Sequence, residues 1–253
     1  MAASFEQPLE TINTGTLGVI RLLNEIRKFN DKIKFYQAGS SEMYGIEKTP
    51  VKNESTPFNP VSPYAIAKLA SYWIVNMYRK AYGIHGVNGI LFNHESPIRG
   101  IEFVTRKVSN GVARISLGLA KNLKLGNLSA KRDWGYAPEY VQGMWKMMQQ
   151  KIPDDYVLAT NEVHSIKELV EEACKVAGIP TSKVTSSKEH LRPFDVPYLM
   201  GDYTKAKHKL HWEPKTKFKK IVKIMVEEDL SRWQRWLKGE YFPSDVVTAG
   251  RGS

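Results

Sequence analysis

Two short strand-like runs, Lys32–Ala38 and Gly86–Phe92, bracket one long helical stretch from about Tyr64 to Tyr82. A strand, a crossover helix and a second strand in that order close most simply as a parallel βαβ unit. The run Gly-Val-Asn-Gly-Ile-Leu-Phe is nearly all apolar, as a strand covered on both faces must be. Further helices are predicted over Pro8–Phe29, Thr105–Leu117, Tyr140–Gln149, Ser165–Ala177 and Lys219–Leu237. Strands are predicted at Asn122–Leu125 and Tyr156–Ala159, and the Pro-rich Thr49–Pro63 reads as loop. Strands alternating with helices define an α/β protein with a largely parallel sheet. Gly15 and Gly18 are expected to let their helix approach that sheet closely. Met and Trp side chains are expected on the apolar face of the Tyr140 helix, and Ser165 with Glu168 forms a capping box.

The chain has 253 residues, enough for one large domain or two small ones. Its formal net charge of +11 suits an anionic partner, either a nucleotide diphosphate or a nucleic acid. A Lys-rich solvated surface accounts for most of that excess, and the cluster Lys215, Lys217, Lys219 and Lys220 is placed on an amphipathic helix. The segment Arg232–Lys238 interleaves basic and aromatic residues, but it fits a terminal helix packing its tryptophans better than a nucleic-acid grip. Cys174 is the only cysteine, so no internal disulfide or cysteine-based zinc site can form. That usage points to a reducing, cytoplasmic setting. No apolar run approaches membrane-span length, the N-terminus lacks the pattern of a signal peptide, and no metal site is expected.

Chemistry concentrates in Ser62-Pro63-Tyr64-Ala65-Ile66-Ala67-Lys68. Ser62 can cap a helix and Pro63 suits its first turn. Tyr64 and Lys68, four apart, then share one helix face. A phenol beside a fixed ammonium has a lowered pKa and can take a proton from a substrate hydroxyl near neutral pH. Ser40 and Glu42 follow the end of the first strand, and Asn93 follows the end of the second. Ligands of open α/β sheets bind beyond the carboxyl ends of strands, so these residues can converge on one cleft.

At these residues the chain resembles the extended short-chain dehydrogenase/reductase group, and within it the GDP-mannose 4,6-dehydratases. The resemblance rests on Gln37–Gly45, on Thr56–Tyr64 with Lys68, and on Asn88–Pro97. It continues through Phe103–Lys107, Leu125–Leu128, Ala130–Gly135, Arg192-Pro193 with Asp195, and Gly201–Ala206. It implies a partial Rossmann-like parallel sheet in residues 1–94, holding the catalytic residues. Residues 95–243 would form a smaller, mostly GDP-sugar-binding α/β part with segments returning to the sheet, and 244–253 a disordered tail.

The activity implied is dehydration of GDP-mannose to GDP-4-keto-6-deoxy-mannose through NADP, with NAD left open. Tyr64 would take the proton of the sugar C4 hydroxyl, Lys68 would hold the cofactor ribose, and Ser40 would hydrogen-bond the C4 oxygen. Glu42 would take the C5 proton and protonate the departing C6 hydroxyl. His94 and Arg99 would lie by the cofactor. Asn93, Lys107, Asn127 and Arg132 would contact the GDP-sugar, with Arg192 and Asp195 near the guanosine ribose or phosphate. From spacing alone His94 equally fits a core histidine, Arg132 a surface residue, and Trp134 a packing residue.

Departures from the family pattern are the Gly39-Ser40 pair where Ser-Thr is usual, Ile98 where an Arg commonly precedes Arg99, and Asp195 in place of Glu. A Gly-rich strand–turn–helix is absent from the sequence, leaving roughly 90 residues of the expected fold unaccounted for. Relatives form dimers or tetramers, so a homo-oligomer is expected, or completion by an N-terminal polypeptide. The competing readings are a non-catalytic GDP-sugar-binding or subunit-interaction protein, and another nucleotide-sugar epimerase or dehydratase.

Overall fold

The computed structural model describes residues 2–187 and 196–240. In chain order it contains α1 (Ala2–Glu6), α2 (Pro8–Ile12), α3 (Gly18–Phe29), β1 (Phe35–Ala38), α4 (Pro63–Tyr82), β2 (Gly86–Leu91), β3 (Asn93–Glu95), α5 (Val104–Ser116), β4 (Leu123–Leu125), β5 (Lys131–Arg132) and β6 (Trp134–Tyr136). There follow α6 (Ala137–Gln149), β7 (Asp155–Leu158), β8 (His164–Ser165), α7 (Ile166–Ala177), β9 (Val184–Ser186), β10 (Tyr198–Leu199), α8 (Thr204–Leu210) and α9 (Phe218–Leu237). The fold is α/β with parallel strands and helices, as the alternation implied.

Two compact units form. The first comprises Met1–His94, Asp133–Val163 and Pro193–Lys215; the second comprises Glu95–Arg132, His164–Arg192 and Thr216–Ser253. The first is built on a parallel sheet in the order β1-β2-β7, with Phe35 opposite Gly86 and Asn88 opposite Asp155. Both faces of β2 are covered. Ile90 packs with Tyr72 of α4, while Val87 and Leu91 pack with Tyr140 and Met147 of α6. Residues one apart point to opposite faces, so double coverage requires the unbroken apolar run seen in the sequence.

A buried polar cluster ties α4 to this sheet. The Asp155 carboxylate accepts hydrogen bonds from Arg79 Nη2 (2.6 Å), Asn88 Nδ2 (2.8 Å), Tyr72 Oη (2.9 Å) and Asn76 Nδ2 (3.1 Å). Burial alone would raise this carboxyl, but Arg79, Asn88 and Asn76 hold it below the ordinary range. Its stabilising effect is therefore complete above the unfolded carboxyl value and is lost as pH falls through the lower folded value. Asp155→Asn is expected to cost about 1.5–3 kcal/mol at neutral pH and to flatten the acid limb of stability below pH ~4. Urea unfolding across pH 2–7 checks both.

The two edges of the sheet differ. At the β7 edge, Val157 N–H donates to Glu54 Oε1 (2.8 Å) and Lys205 Nζ donates to Asp155 O (2.8 Å). At the other edge, Phe35 and Gly39 turn their N–H groups toward the β2 side, to His85 O and Gly89 O. The strand's alternation then sends those of Tyr36 and Ala38 outward. No strand pairs with that outer side of β1 among the described residues.

The second unit packs α5, α7 and α9 together, with β4 parallel to β9 and β5 antiparallel to β8. Its centre is an ion pair with no solvent exposure. Arg106 Nε lies 3.0 Å and Nη2 2.8 Å from Asp229 Oδ1, and Ser109 Oγ donates to Asp229 Oδ2 at 2.6 Å. Arg106 Nη1 also donates to Pro97 O (2.7 Å) and Arg99 O (3.0 Å), and Arg232 Nη1 donates to Pro97 O (2.6 Å).

Several local expectations change. The Pro8–Phe29 helix contains a π turn at Asn13–Leu17. There Gly15 meets helix α4 rather than a sheet: a Cβ at Gly15 would lie 3.1 Å from Ala67 Cβ, and Ser71 Oγ donates to Gly15 O. The first strand starts at Phe35 because Asn30–Ile33 form a turn, with Asn30 Oδ1 accepting from Lys32 N (2.9 Å). Lys215 and Lys217 precede α9 instead of lying on it, and Trp145 faces outward at 64% exposure. Trp233 is buried on Ala113, but Trp236 is exposed. The predicted capping box is present: Ser165 Oγ accepts from Glu168 N at 3.1 Å, and Ser165 N donates to Glu168 Oε2 at 2.6 Å.

Candidate active site

In the first unit, β1 ends at Ala38, and Ser40 caps a single 3-10 turn, Ser41–Tyr44. Ser40 is buried, and its Oγ accepts from Glu42 N at 3.2 Å. Capping uses the lone pair of the hydroxyl and leaves its hydrogen to donate elsewhere. The carbonyl of Asn59 crowds Gly45, which sits at φ +53° after the turn; a Cβ there would meet it at 1.8 Å. Gly39 is held as tightly, since a Cβ would lie 2.7 Å from Gly89 O. A side chain at position 39 would require the backbone here to shift.

Helix α4 starts as the sequence predicts. Ser62 Oγ accepts from Ala65 N at 3.1 Å, and Pro63 occupies the first turn. Tyr64 and Lys68 lie one turn apart, with Lys68 Nζ 5.6 Å from the centre of the Tyr64 ring. Lys68 Nζ also donates to Ala38 O at 2.9 Å. This bond brings the Tyr64 face of α4 to the carboxyl end of β1, two residues before Ser40. Burial holds the Lys68 ammonium below the ordinary lysine range. Ser40, Glu42, Tyr64 and Lys68 thus gather at the mouth of one sheet. The arrangement offers a phenol, an ammonium, an alcohol and a half-buried carboxyl, suited to moving protons on a polyhydroxyl substrate.

Asn93 and His94 follow the end of β2 in the same unit and are partly buried. His94 is not sealed in the core. Its ring stacks on Tyr140, with centroids 5.0 Å apart and planes 19° apart, and its Nδ1 lies 2.9 Å from Phe92 O. Tyr140 has no local sequence signal linking it to His94; only the tertiary packing does. The adjoining motif residue Asp133 is buried and accepts from Thr160 N (2.9 Å), Thr160 Oγ1 (2.7 Å) and Gly201 N (3.3 Å). Burial pushes its carboxyl up to about 7 against the pull of these donors.

The second unit carries Arg99, Lys107, Asn127 and Arg132. Arg99 lies over the Phe103 ring at 3.6 Å and pairs with Glu95 Oε2 at 3.3 Å. Glu95 in turn accepts from Thr105 Oγ1 at 2.5 Å. Lys107 is half-buried on α5. Asn127 is exposed and spends its Oδ1 on Ser129 N (2.9 Å) and Ser129 Oγ (2.7 Å). Arg132 is buried on β5 at 8% exposure, unlike a typical surface arginine. Trp134 is buried, which fits its packing reading. Arg192 and Asp195 lie outside the described residues.

A family model described as GDP-mannose 4,6 dehydratase matches residues 1–225. The chain is 48% identical over 240 residues to GDP-mannose 4,6 dehydratase 1 of Arabidopsis thaliana, covering 93% of this chain and 66% of that protein. It is 45% identical over 250 residues to GDP-mannose 4,6 dehydratase of Homo sapiens, covering 90% and 66%. The chain therefore spans just under two thirds of the length of these relatives. Among solved structures, RMD from Pseudomonas aeruginosa complexed with NADPH superposes with a TM-score of 0.83 at 20% identity, covering 91% of this chain and 77% of that one. The UDP-glucose 4-epimerase of Thermotoga maritima does so with a TM-score of 0.81 at 24% identity, covering 93% and 74%. At these identities the structural likeness shows the fold alone, a Rossmann-type architecture.

Proposed function

This chain belongs to the GDP-mannose 4,6-dehydratase family, and we propose that it carries the catalytic apparatus for converting GDP-mannose to GDP-4-keto-6-deoxy-mannose. The observation that carries the reading is the Lys68–Ala38 bond, which sets the Tyr64 helix against the Ser40–Glu42 turn. A nicotinamide cofactor fits these residues at its ribose end, where the Lys68 ammonium and the Tyr64 phenol present polar hydrogens from one helix face. The NADPH held by the RMD structure of the same fold supports NADP as that cofactor. When bound, a nicotinamide would supply the hydride acceptor and donor that keep the reaction redox-neutral.

The residues of the chain handle the protons. Tyr64 removes the proton of the C4 hydroxyl, and Lys68 favours the phenolate by its charge. Ser40 donates its hydroxyl hydrogen to the C4 oxygen. The 4-ketone acidifies C5–H, and Glu42 collects that proton. Glu42 then delivers the proton to the C6 oxygen, which departs as water; one carboxyl serves as base and then acid because it retains what it collects. Reduction at C6 leaves C5 to be protonated, and Tyr64 gives it the proton taken from the C4 hydroxyl, which restores the phenolate. His94 and Arg99 are assigned to the cofactor, and Asn93, Lys107, Arg132, Arg192 and Asp195 to the GDP-sugar. Arg and Lys suit its diphosphate. Asn127 is the weakest member of this set, because its side-chain oxygen is engaged within its own turn. The test is incubation of the folded chain with GDP-mannose and NADP. A product lighter by one water, carrying a 4-ketone, is expected; unchanged substrate overturns the activity of this chain.

The same reading includes a cytosolic setting, consistent with one buried, unpaired Cys174. No helix among the described residues is long and apolar enough to cross a membrane. It also includes self-association. Ile66, Trp73 and Met77, on the outer face of α4, are 49%, 55% and 45% exposed, an apolar stripe suited to a second copy. Trp73→Glu is expected to shift the sedimentation coefficient from oligomer to monomer without changing the circular dichroism. A non-catalytic, subunit-interaction reading is favoured by one observation, the unpaired outer side of β1. Calorimetry separates the two: binding of GDP-mannose without NADP supports it, and tight NADP binding counts against it.

A further inference from the structure

His94 is held from two directions. A carbonyl oxygen only accepts, so the 2.9 Å contact between Nδ1 and Phe92 O places a hydrogen on Nδ1. In the neutral ring Nε2 is then the acceptor. The second hold is the stack on Tyr140, a fully buried residue. Tyr140 is itself wedged. Trp212 meets it edge-on at 5.5 Å and is fixed by its own Nε1 bond to Glu139 O at 2.7 Å. On another side Gly135 leaves no gap, since a Cβ there would lie 2.1 Å from Tyr140 Cε2. Tyr203 packs edge-on against Trp212 at 5.9 Å and extends the column.

We propose that Tyr140 is a positioning residue: with Phe92 O and the close approach of Gly135, it fixes His94 as a single Nδ1–H tautomer whose Nε2 accepts a hydrogen bond from a ribose hydroxyl or carboxamide N–H of a nicotinamide cofactor. The ligand half of this inference rests on the cofactor reading above; the tautomer half rests on the geometry alone. Outer partners that orient a histidine set both its ring angle and the nitrogen it offers. In this role Tyr140 acts through its ring.

The experiment compares the full chain with Tyr140→Phe, Tyr140→Leu and Gly135→Ala by long-range 1H–15N correlation at the histidine rings, and by NADPH titration. Wild type and Tyr140→Phe are expected to show one Nδ1–H tautomer for His94 and equal NADPH affinity. Tyr140→Leu is expected to mix the tautomers and weaken NADPH on the order of tenfold. Gly135→Ala, which displaces the Tyr140 ring without removing it, is expected to do the same and serves if the leucine variant does not fold. A single Nδ1–H tautomer retained in a folded displaced-ring variant overturns the proposal. A wild type with the expected tautomer that binds no NADPH overturns the cofactor reading instead, leaving the positioning role standing on the tautomer result.

Discussion

Tyr64→Phe is expected to lower turnover of GDP-mannose by about 10²–10⁴-fold, the range a positioned general base supplies. The substitution keeps the ring beside Lys68 and removes only the oxygen. Substrate affinity should change little, because the lost group acts on a proton in flight rather than on bound substrate. Glu42→Gln is the companion. It should leave oxidation at C4 possible while abolishing exchange of the C5 hydrogen with solvent deuterium. The pair separates two roles that a single rate measurement merges. Turnover of Tyr64→Phe within a few-fold of wild type, measured in any preparation of this chain that converts GDP-mannose, removes the phenol from the mechanism. Deuterium entering C5 in Glu42→Gln removes the carboxylate.

The largest stability effect is expected in the second unit. Arg106 and Asp229 are wholly excluded from water and face each other as counter-charges, with Arg232 a further 3.6 Å from Asp229. Asp229→Ala leaves the Arg106 guanidinium buried with an uncompensated charge, at a cost of about 3–5 kcal/mol. For a chain of this size that lowers the melting temperature by roughly 10 °C or more. Loss should not stop at packing. Arg106 also holds the carbonyls of Pro97 and Arg99, so protease cleavage should appear first in that turn. Replacing both partners with apolar residues of similar volume should recover most of the loss; failure to recover it assigns the cost to shape rather than charge.

How much of this was legible in the sequence depended on range. Tyr64 with Lys68, Ser62 with Ala65, and Ser165 with Glu168 lie within one helical turn, so their spacing states their geometry. Ser40 and Glu42 are likewise neighbours around one turn. The βαβ order was readable because a doubly covered strand must be apolar throughout. The Asp155 cluster was not readable, since its donors come from α4 and β2 and no local period links them. Arg106 and Asp229, and His94 and Tyr140, are separated in the same way. Gly15 signalled a close approach but not its partner; the Ala67 methyl, not a strand, occupies the other side. Trp145 followed helical spacing onto a face that this unit leaves uncovered.

One consequence follows from the seat of Lys68. The carbonyl it grips lies on the side of β1 that no strand pairs with among the described residues. The ammonium therefore occupies that acceptor while lying 5.6 Å from the centre of the Tyr64 ring. Any ribbon that aligned along this margin would have to halt short of Ala38 or displace the Lys68 ammonium. One amine thus meets both the strand end and the phenol ring.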